Sequence, residues 1–472
     1  MHLFRIATLT VTFLSLFYLS ACTNSENSAS GATSWSTDNQ GWLLMKNEKN
    51  LEERFFAIGT WHVPGYTFTK EAHADSLDYL QNAQLFRERT SPFNMVFVTS
   101  GLEKDYMSEK IHVMNPFSPM LHAYLDRFVT LPTGDDKDYY RSKLMKEEVD
   151  NPEFIHYLDS QIVTLLDNKT NDRYIFSHID EIALGGVGRW AVPPATGKQI
   201  FERLKVHDPE AIVFVDLVGH AKGSSYLFEK RYLQSNSQMP DDPPYELISE
   251  DARKSKIPLL GFFQAYDGTP VYEFDEEGNY SYTKYEVETL KRIWFENLKI
   301  FARDYSASGN VFSINAFRDF FALPELAGLT VDALKAGLGD EVPLWIYFDG
   351  NGYAKPANLS PGDYLVNVKC QIYTSIVHGS TGVLFWNDWS KTPEVFDHLL
   401  PIMEELKNNL AIITLDTEKR VVEGNLHMVI KGDGQKRFVI ATNSSKTEVM
   451  TMVLPDGTSL SLDPLEVYLS EI

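Results

Sequence analysis

The stretch YIFSHIDEIALGGVGRW, which runs from Tyr174 to Trp190, begins as a short apolar run and ends in two acids followed by glycines. A short apolar run of this kind is typical of a buried β-strand. In a parallel barrel, active sites are built where the strands end. The stretch therefore predicts that Glu181, with Asp180 beside it, lies at the C-terminal mouth of such a barrel. The alternative hypothesis is that the two acids only form a solvated strand end.

Short apolar runs alternate with longer amphipathic runs from Trp42 to about Leu410, which is typical of repeated βα units. Eight strand candidates with helices between them predict a (β/α)8 TIM barrel. A further run, Ile111–Met114, is an alternative strand; if it belongs to the barrel, Leu259–Phe263 lies outside it and Glu181 follows strand four instead of strand three. The eight candidates are Phe55–Gly59, Phe93–Val98, Tyr174–Ile179, Ile212–Val215, Leu259–Phe263, Val311–Ile314, Leu344–Phe348 and Val383–Trp386.

After Leu410 the pattern changes to short β runs separated by turn signals such as Pro455-Asp456-Gly457. This pattern predicts a small antiparallel β-sandwich. The predicted domain organisation is a signal peptide at residues 1–21, a flexible tether at 22–40, a barrel at 41–411 and a C-terminal β-sandwich at 412–472.

The N-terminus indicates where the protein is located. An apolar run, Ile6–Leu19, is too short for an ordinary transmembrane helix and is typical of a signal peptide. It ends in Leu19-Ser20-Ala21-Cys22, which resembles the bacterial lipobox and implies that Cys22 is lipidated. The next residues are rich in Ser, Asn, Thr and Gly, as in a flexible tether. We expect a membrane-attached protein of the bacterial cell envelope, at the outer membrane and facing the periplasm or the exterior.

Composition excludes several classes of protein. The formal net charge of the 472 residues is −22, and no basic cluster interrupts it, so we expect no nucleic-acid partner. The two cysteines provide no disulfide framework and no zinc spacing. The glycines at 185–188 match neither a phosphate-binding loop nor a dinucleotide fingerprint, so we expect no cofactor. An alternative metal site would combine His178 and Asp180 with His62 or His220.

Polar and aromatic residues follow the predicted strands, and the barrel would bring them to one mouth. Sugars need this combination, because hydroxyls require polar partners and ring faces stack on Trp and Tyr. A carbohydrate substrate is therefore expected. The candidate residues are Trp61, His62, Asp180, Asp216, His220, Gln264, Tyr266, Asn315, Asn351, Trp386, Asp388 and Trp389.

Hydrolysis of a glycosidic bond requires two carboxyl groups, one that donates a proton and one that acts as nucleophile or base. Glu181 is the candidate donor, because the neighbouring Asp180 makes it costly to ionise both acids. Asp349 is the leading second carboxylate, because it closes the penultimate strand whichever early strands are counted. Asp267 and Asp319 are alternatives for that role.

Two stretches resemble barrel glycoside hydrolases of the clan A type. Residues 174–194 and 207–215 have the Asp-Glu at a strand end and the Asp-Pro before the next strand, and residues 369–386 resemble the final helix and strand. The resemblance implies that Glu181 is the acid/base, after strand four, and that the nucleophile ends strand seven, where Asp349 replaces the usual glutamate. Together with the lipobox-like N-terminus, it leads us to expect a glycosidase of the cell envelope that acts on an oligo- or polysaccharide. The alternative is a non-catalytic glycan-binding lipoprotein on the same scaffold.

Overall fold

The structure of this chain, a computed structural model, is described in segments that are separated by gaps. They are residues 35–46, 51–60, 92–98, 111–114, 116–127, 144–145, 147–167, 174–178, 182, 192–218, 272–274, 280–282, 287–350, 360–386 and 393–472.

A small antiparallel sheet precedes the barrel, formed by β1 (Trp35–Thr37), β2 (Leu43–Lys46) and β3 (Glu52–Phe55). Trp35 packs edge-on against Phe55, with ring centroids 6.0 Å apart. These contacts place β1 inside the segment 22–40 that the composition predicts to be a tether. The polar composition of that segment does not reveal the strand, whose tryptophan is half-buried against Phe55.

Eight parallel strands then form a closed barrel, in which each strand pairs with the next and the last pairs with the first. The pairing of the eighth strand with the first closes the ring at Gly382 and Ala57. The (β/α)8 prediction is therefore confirmed. The strands are β4 (Ala57–Thr60), β5 (Met95–Val98), β6 (Ile111–Met114), β7 (Tyr174–Ser177), β8 (Val213–Val218) and, after the hairpin of β9 (Tyr272–Phe274) and β10 (Tyr280–Tyr282), β11 (Val311–Asn315), β12 (Leu344–Asp349) and β13 (Gly382–Trp386).

The strand pairing decides between the two counts that the sequence left open. Strand β6 pairs with β5 on one side and β7 on the other, so Ile111–Met114 is the third barrel strand. Strand β8 pairs directly with β11, which leaves no barrel position between them for Leu259–Phe263, a run outside the described residues. The count that used Leu259–Phe263 is wrong, and the alternative count is confirmed. Glu181 accordingly follows strand four.

Helices surround the barrel, and their starts show local sequence control. Asn151 accepts a hydrogen bond on Oδ1 from the Glu153 backbone N–H at 2.9 Å, and Ser360 Oγ accepts one from the Asp363 N–H at 3.1 Å. None of the helices described here is long and apolar enough to cross a membrane. The helices are α1 (Phe117–Leu125), α2 (Pro152–Asp167), α3 (Pro194–His207), α4 (Val287–Tyr305), α5 (Phe317–Ala322), α6 (Leu326–Leu338), α7 (Pro361–Val377), α8 (Pro393–Asn408) and α9 (Leu410–Ile413).

Aromatic rings fill the interior of the barrel. Phe214 stacks on Trp345 with centroids 5.6 Å apart, and Phe97 lies 5.8 Å from Phe214 and 6.0 Å from Tyr347. Gly382 makes room for this cluster, because a Cβ atom there would lie 2.5 Å from the Trp345 ring. The interior is thus a packed core and not a pore, and the site expected at the C-terminal mouth lies beyond it, where the strands end.

The C-terminal region is an antiparallel sheet of β14 (Asp416–Glu423), β15 (Leu426–Gly432), β16 (Arg437–Asn443) and β19 (Val467–Glu471), with a hairpin of β17 (Met450–Val453) and β18 (Ser459–Leu462). One face of the sheet and the hairpin share a core that includes Met428, Ile430, Met452 and Leu462. Val429, on the other face, belongs to the core of the barrel. The predicted small β region after the barrel is confirmed.

Candidate active site

Strand register determines which side chains point into the barrel. Trp345 and Tyr347 contact rings of the interior, so Asp349, two residues further along β12, points to the same side. Ser313 is the register partner of both Trp345 and Asp216. Asp216 and, two residues after Ser313, Asn315 therefore also face inward. Three polar side chains from strands five, six and seven thus lie on the inner side of the barrel towards its C-terminal end.

Asp216 and Asn315 form a buried polar pair. Asn315 Nδ2 donates to Asp216 Oδ2 at 3.4 Å, and the two residues are 1% and 6% exposed. The sequence pattern predicts Asp216 to lie at the mouth but does not single it out as a catalytic acid. The available signal was the carboxylate itself, which interrupts an apolar strand buried on both faces; an acid in such a place needs a polar partner or a ligand.

Asp349 is held at the end of strand seven by its backbone. The Tyr364 hydroxyl on α7 donates to the Asp349 carbonyl oxygen at 2.7 Å, and the Gly350 N–H donates to the Trp386 carbonyl oxygen at 2.8 Å. The residue is only 3% exposed. Because the strand end is tied to both the next helix and the next strand, the position of the carboxylate is well defined relative to strand eight.

An aromatic surface lies beside Asp349. Trp386 is the register partner of Asp349 and ends strand eight. Its ring stacks on Phe317 with centroids 5.6 Å apart and an interplanar angle of 21°. Trp386 is half-buried, whereas Phe317 is 7% exposed. One ring supports the other, and the accessible part of Trp386 is an apolar face at the mouth.

The chain on both sides of Glu181 is attached to strand five. The His178 N–H donates to the Phe214 carbonyl at 3.3 Å, and the Ile182 N–H donates to the Asp216 carbonyl at 2.9 Å. Ile182 is fully buried. Glu181 itself lies outside the described residues, but its two flanks are fixed beside the strand that carries Asp216.

His178 points away from the mouth and does not fit the alternative metal site. Its Nε2 atom hydrogen-bonds to the Ser308 carbonyl oxygen, and its ring lies 5.6 Å from that of Phe117 on α1. Complete burial lowers the pKa of His178 to about 4, so the ring is neutral at physiological pH. Within the described segments, no cluster of three His, Cys, Asp or Glu residues is arranged to hold a metal ion.

Several predicted residues stay predictions. Asp319 lies in α5, close after the end of strand six, and only its backbone is described. The other candidates lie outside the described residues; they are Cys22, Trp61, His62, Asp180, Glu181, His220, Gln264, Tyr266, Asp267, Asn351, Asp388 and Trp389. Of the predicted mouth residues, the structure therefore describes the side chains of Asp216, Asn315, Asp349 and Trp386, and it brings Asp216 together with Asn315 and Asp349 together with Trp386.

No protein-family model and no curated protein matches this sequence. Among solved structures, the chain is similar to an α-amylase of Anoxybacillus, with 11% identity over 88% of this chain and 97% of that one and a TM-score of 0.43. It is also similar to an endoxylanase from Clostridium papyrosolvens, with 10% identity over 89% and 94% and a TM-score of 0.37. A glucosidase from Croceicoccus marinus has 10% identity over 87% and 81% and a TM-score of 0.38. At these scores the likeness is one of general architecture, and the fold stands on its own strand pairing.

Proposed function

We propose that this protein hydrolyses glycosidic bonds in an oligo- or polysaccharide. The observation that carries the proposal is Asp349, an inward-facing and nearly buried carboxylate at the end of strand seven. Glu181 follows strand four, and the residues beside it are attached to strand five by the Ile182 and His178 hydrogen bonds. A barrel mouth with one acid after strand four and another at the end of strand seven has the two carboxyl groups that glycoside hydrolysis requires.

In the proposed mechanism, Glu181 donates a proton to the leaving oxygen, and Asp349 promotes attack on the anomeric carbon from the opposite face. Asp349 acts either as nucleophile or as the base that activates water. Its burial and its fixed strand end favour either role, because a reacting carboxylate must be held in one geometry. Proton donation by Glu181 is needed because a sugar alkoxide is a poor leaving group.

Substrate binding is assigned to the described residues around Asp349. The Asp216–Asn315 pair offers acceptor and donor atoms, which suit a sugar hydroxyl that both donates and accepts. Trp386, supported by Phe317, offers a flat apolar face against which a sugar ring can pack. These residues belong to strands five, six and eight, so together they flank the position of Asp349 on strand seven.

A glycan panel tests the proposal. The protein, expressed from about Ser25, should release reducing ends from at least one member of a set of plant, algal and host polysaccharides. Binding of a glycan without release would overturn the enzymatic proposal and favour the alternative, a glycan-binding lipoprotein. Loss of activity with a chelator would instead favour a metal-dependent hydrolase.

The proposed location is the bacterial cell envelope, through a lipid on Cys22. The support is the apolar run followed by Leu19-Ser20-Ala21-Cys22. In a bacterial host, the wild-type protein should fractionate with membranes and enter a detergent phase, whereas Cys22→Ala should be soluble. Membrane fractionation of the Cys22→Ala variant would contradict lipid anchoring at that residue.

A further inference from the structure

A cavity of about 760 Å³ lies at the opposite end of the barrel from Asp349. Thr381 and Asp340, which line it, precede strands β13 and β12, whereas Asp349 and Trp386 end those strands. Helices α4 and α6 and strands β14 and β15 complete the wall. The volume is typical of small-molecule pockets. This cavity shares no residue with the proposed catalytic mouth.

Positive charge is concentrated on the cavity wall. Lys335, Arg420 and Lys431 line it, with Asp332 and Asp340 as the only carboxylates among the lining residues described. Both oxygens of Asp332 are engaged, since Oδ2 lies 2.8 Å from His378 Nδ1 and Oδ1 lies 2.6 Å from the Arg420 guanidinium. The wall therefore has an excess of cations in a chain whose formal net charge is −22.

Lys431 is the most buried of these cations, with an exposure of 3%. Its ammonium group donates to the Leu415 carbonyl oxygen at 3.2 Å and lies 5.4 Å from the centre of the Trp42 ring. Over the described part of the chain, no carboxylate forms an ion pair with Lys431 or with Lys335. A buried ammonium without a carboxylate in direct contact is costly, and an anion in the cavity would relieve that cost.

We propose that this cavity binds a small organic molecule through one oxyanion group, a carboxylate, sulfate or phosphate, paired with the ammonium groups of Lys431 and Lys335. The volume exceeds what a bare oxyanion fills, and Trp42, Phe295 and Val377 provide apolar surface for an organic part. The site does not depend on the proposed glycosidase activity, because its residues lie at the other end of the barrel.

The charge state of Lys431 makes binding sensitive to pH. Burial, together with the charges of Arg54 and Lys335, lowers the pKa of Lys431 to about 7, and Asp416 and Asp38 act in the opposite direction. Burial also lowers the pKa of Lys335, against the attraction of Asp340. The other ionisable groups at the cavity are Arg420, His378 and Asp332, and the Asp332 carboxylate contacts both of the others. An anion binds the protonated ammonium, so affinity should be highest below about pH 7 and should fall as the pH rises through that value.

Isothermal titration of the mature full-length protein with sodium sulfate and with sodium glucuronate tests the site, since both anions are fully ionised near neutral pH. At constant ionic strength, we expect binding at about pH 6 that is at least about tenfold weaker at about pH 8.5. Lys431→Met should weaken binding at least about tenfold and remove most of the pH dependence. Lys335→Met should also weaken it.

The matched control is Lys436→Met. Lys436 is on the exposed connection next to β16, where its ammonium lies 3.5 Å from a Glu471 carboxylate oxygen, and its loss should leave binding unchanged. Thermal melts of each variant verify folding; if Lys431→Met does not fold, Lys335→Met decides. Binding of either anion with this lysine dependence supports the site. Absence of binding for both anions, or undiminished binding by the lysine variant that folds, would overturn it.

Discussion

The Asp349→Asn protein is expected to fold like the wild type and to hydrolyse its glycan about 10²–10⁴-fold more slowly. The amide has nearly the size and shape of the carboxylate, so packing around this nearly buried residue should persist. The Tyr364 hydroxyl donates to the backbone oxygen of Asp349 and is unaffected by the change. A neutral amide, however, neither attacks an anomeric carbon nor accepts a proton from water.

Kinetics and thermal melts on the same preparation check this expectation. Asp363→Asn is the matched control, because Asp363 is an exposed acid on the helix that follows the same strand. Its N–H caps the helix through Ser360 Oγ at 3.1 Å, and this backbone contact survives the change. The Asp363 carboxylate also accepts a hydrogen bond from Ser360 Oγ at 2.7 Å, which an amide oxygen can keep in weaker form, so the control should keep its activity and lose at most about 1 kcal/mol of stability. If Asp349→Asn keeps full activity, Asp349 is not the second catalytic carboxylate, and the role passes to the alternatives Asp267 or Asp319.

The stereochemistry of the first product defines how Asp349 acts. Retention of the anomeric configuration, observed by NMR before mutarotation, indicates a nucleophile with carboxyl groups about 5–5.5 Å apart. Inversion indicates a base, with a separation of about 6.5–9.5 Å that leaves room for water. Aspartate is one methylene shorter than the glutamate implied by the family resemblance, so it reaches less far across the mouth. Either product is compatible with the expected loss in Asp349→Asn.

The strands that can be predicted well from the amino-acid sequence are continuous apolar runs. Val311–Ile314 and Leu344–Phe348 are buried on both faces, so burial alone dictates their composition. Ile111–Met114 was ambiguous because it is four residues long and includes a histidine. Only its pairing with two neighbours shows that it belongs to the barrel. Pairing between β8 and β11 joins segments almost a hundred residues apart, and local sequence patterns contain no information about such a contact.

The candidate site was predictable in part for a related reason. Asp349 and Trp386 are the last residues of their strands. Such positions can be recognised in the sequence because they lie where an apolar run ends. Asp216 lies within its strand, so its role depends on which face of β8 points inward. That face is set by register with Ser313 on a distant strand, and a shift of one residue would turn the carboxylate outward.

The Glu181→Gln substitution should slow the cleavage of one kind of substrate much more than that of another. Glycans with alkoxide leaving groups should be cleaved about 10²–10⁴-fold more slowly, because glutamine supplies no proton to the departing oxygen. A strongly acidic phenol leaves an aryl glycoside as its phenolate and needs no proton. The glycosidic bond of such a substrate should therefore break at nearly the wild-type rate. The acid-dependent limb of the pH–rate profile should also disappear.

This contrast distinguishes a proton donor from a residue that only maintains the structure. Glu202→Gln is the matched control, since Glu202 is exposed on α3, the next described helix after Glu181 in the chain, and pairs with Lys198 at 3.5 Å. It should behave like the wild type on both kinds of substrate. Equal losses on both kinds of substrate would mean that Glu181 has a structural role or is the nucleophile. Only a loss of the proton donor has an effect that depends on the leaving group. Full activity of Glu181→Gln on glycans would require a different donor, and Asp180, the adjacent acid, would be the first to examine.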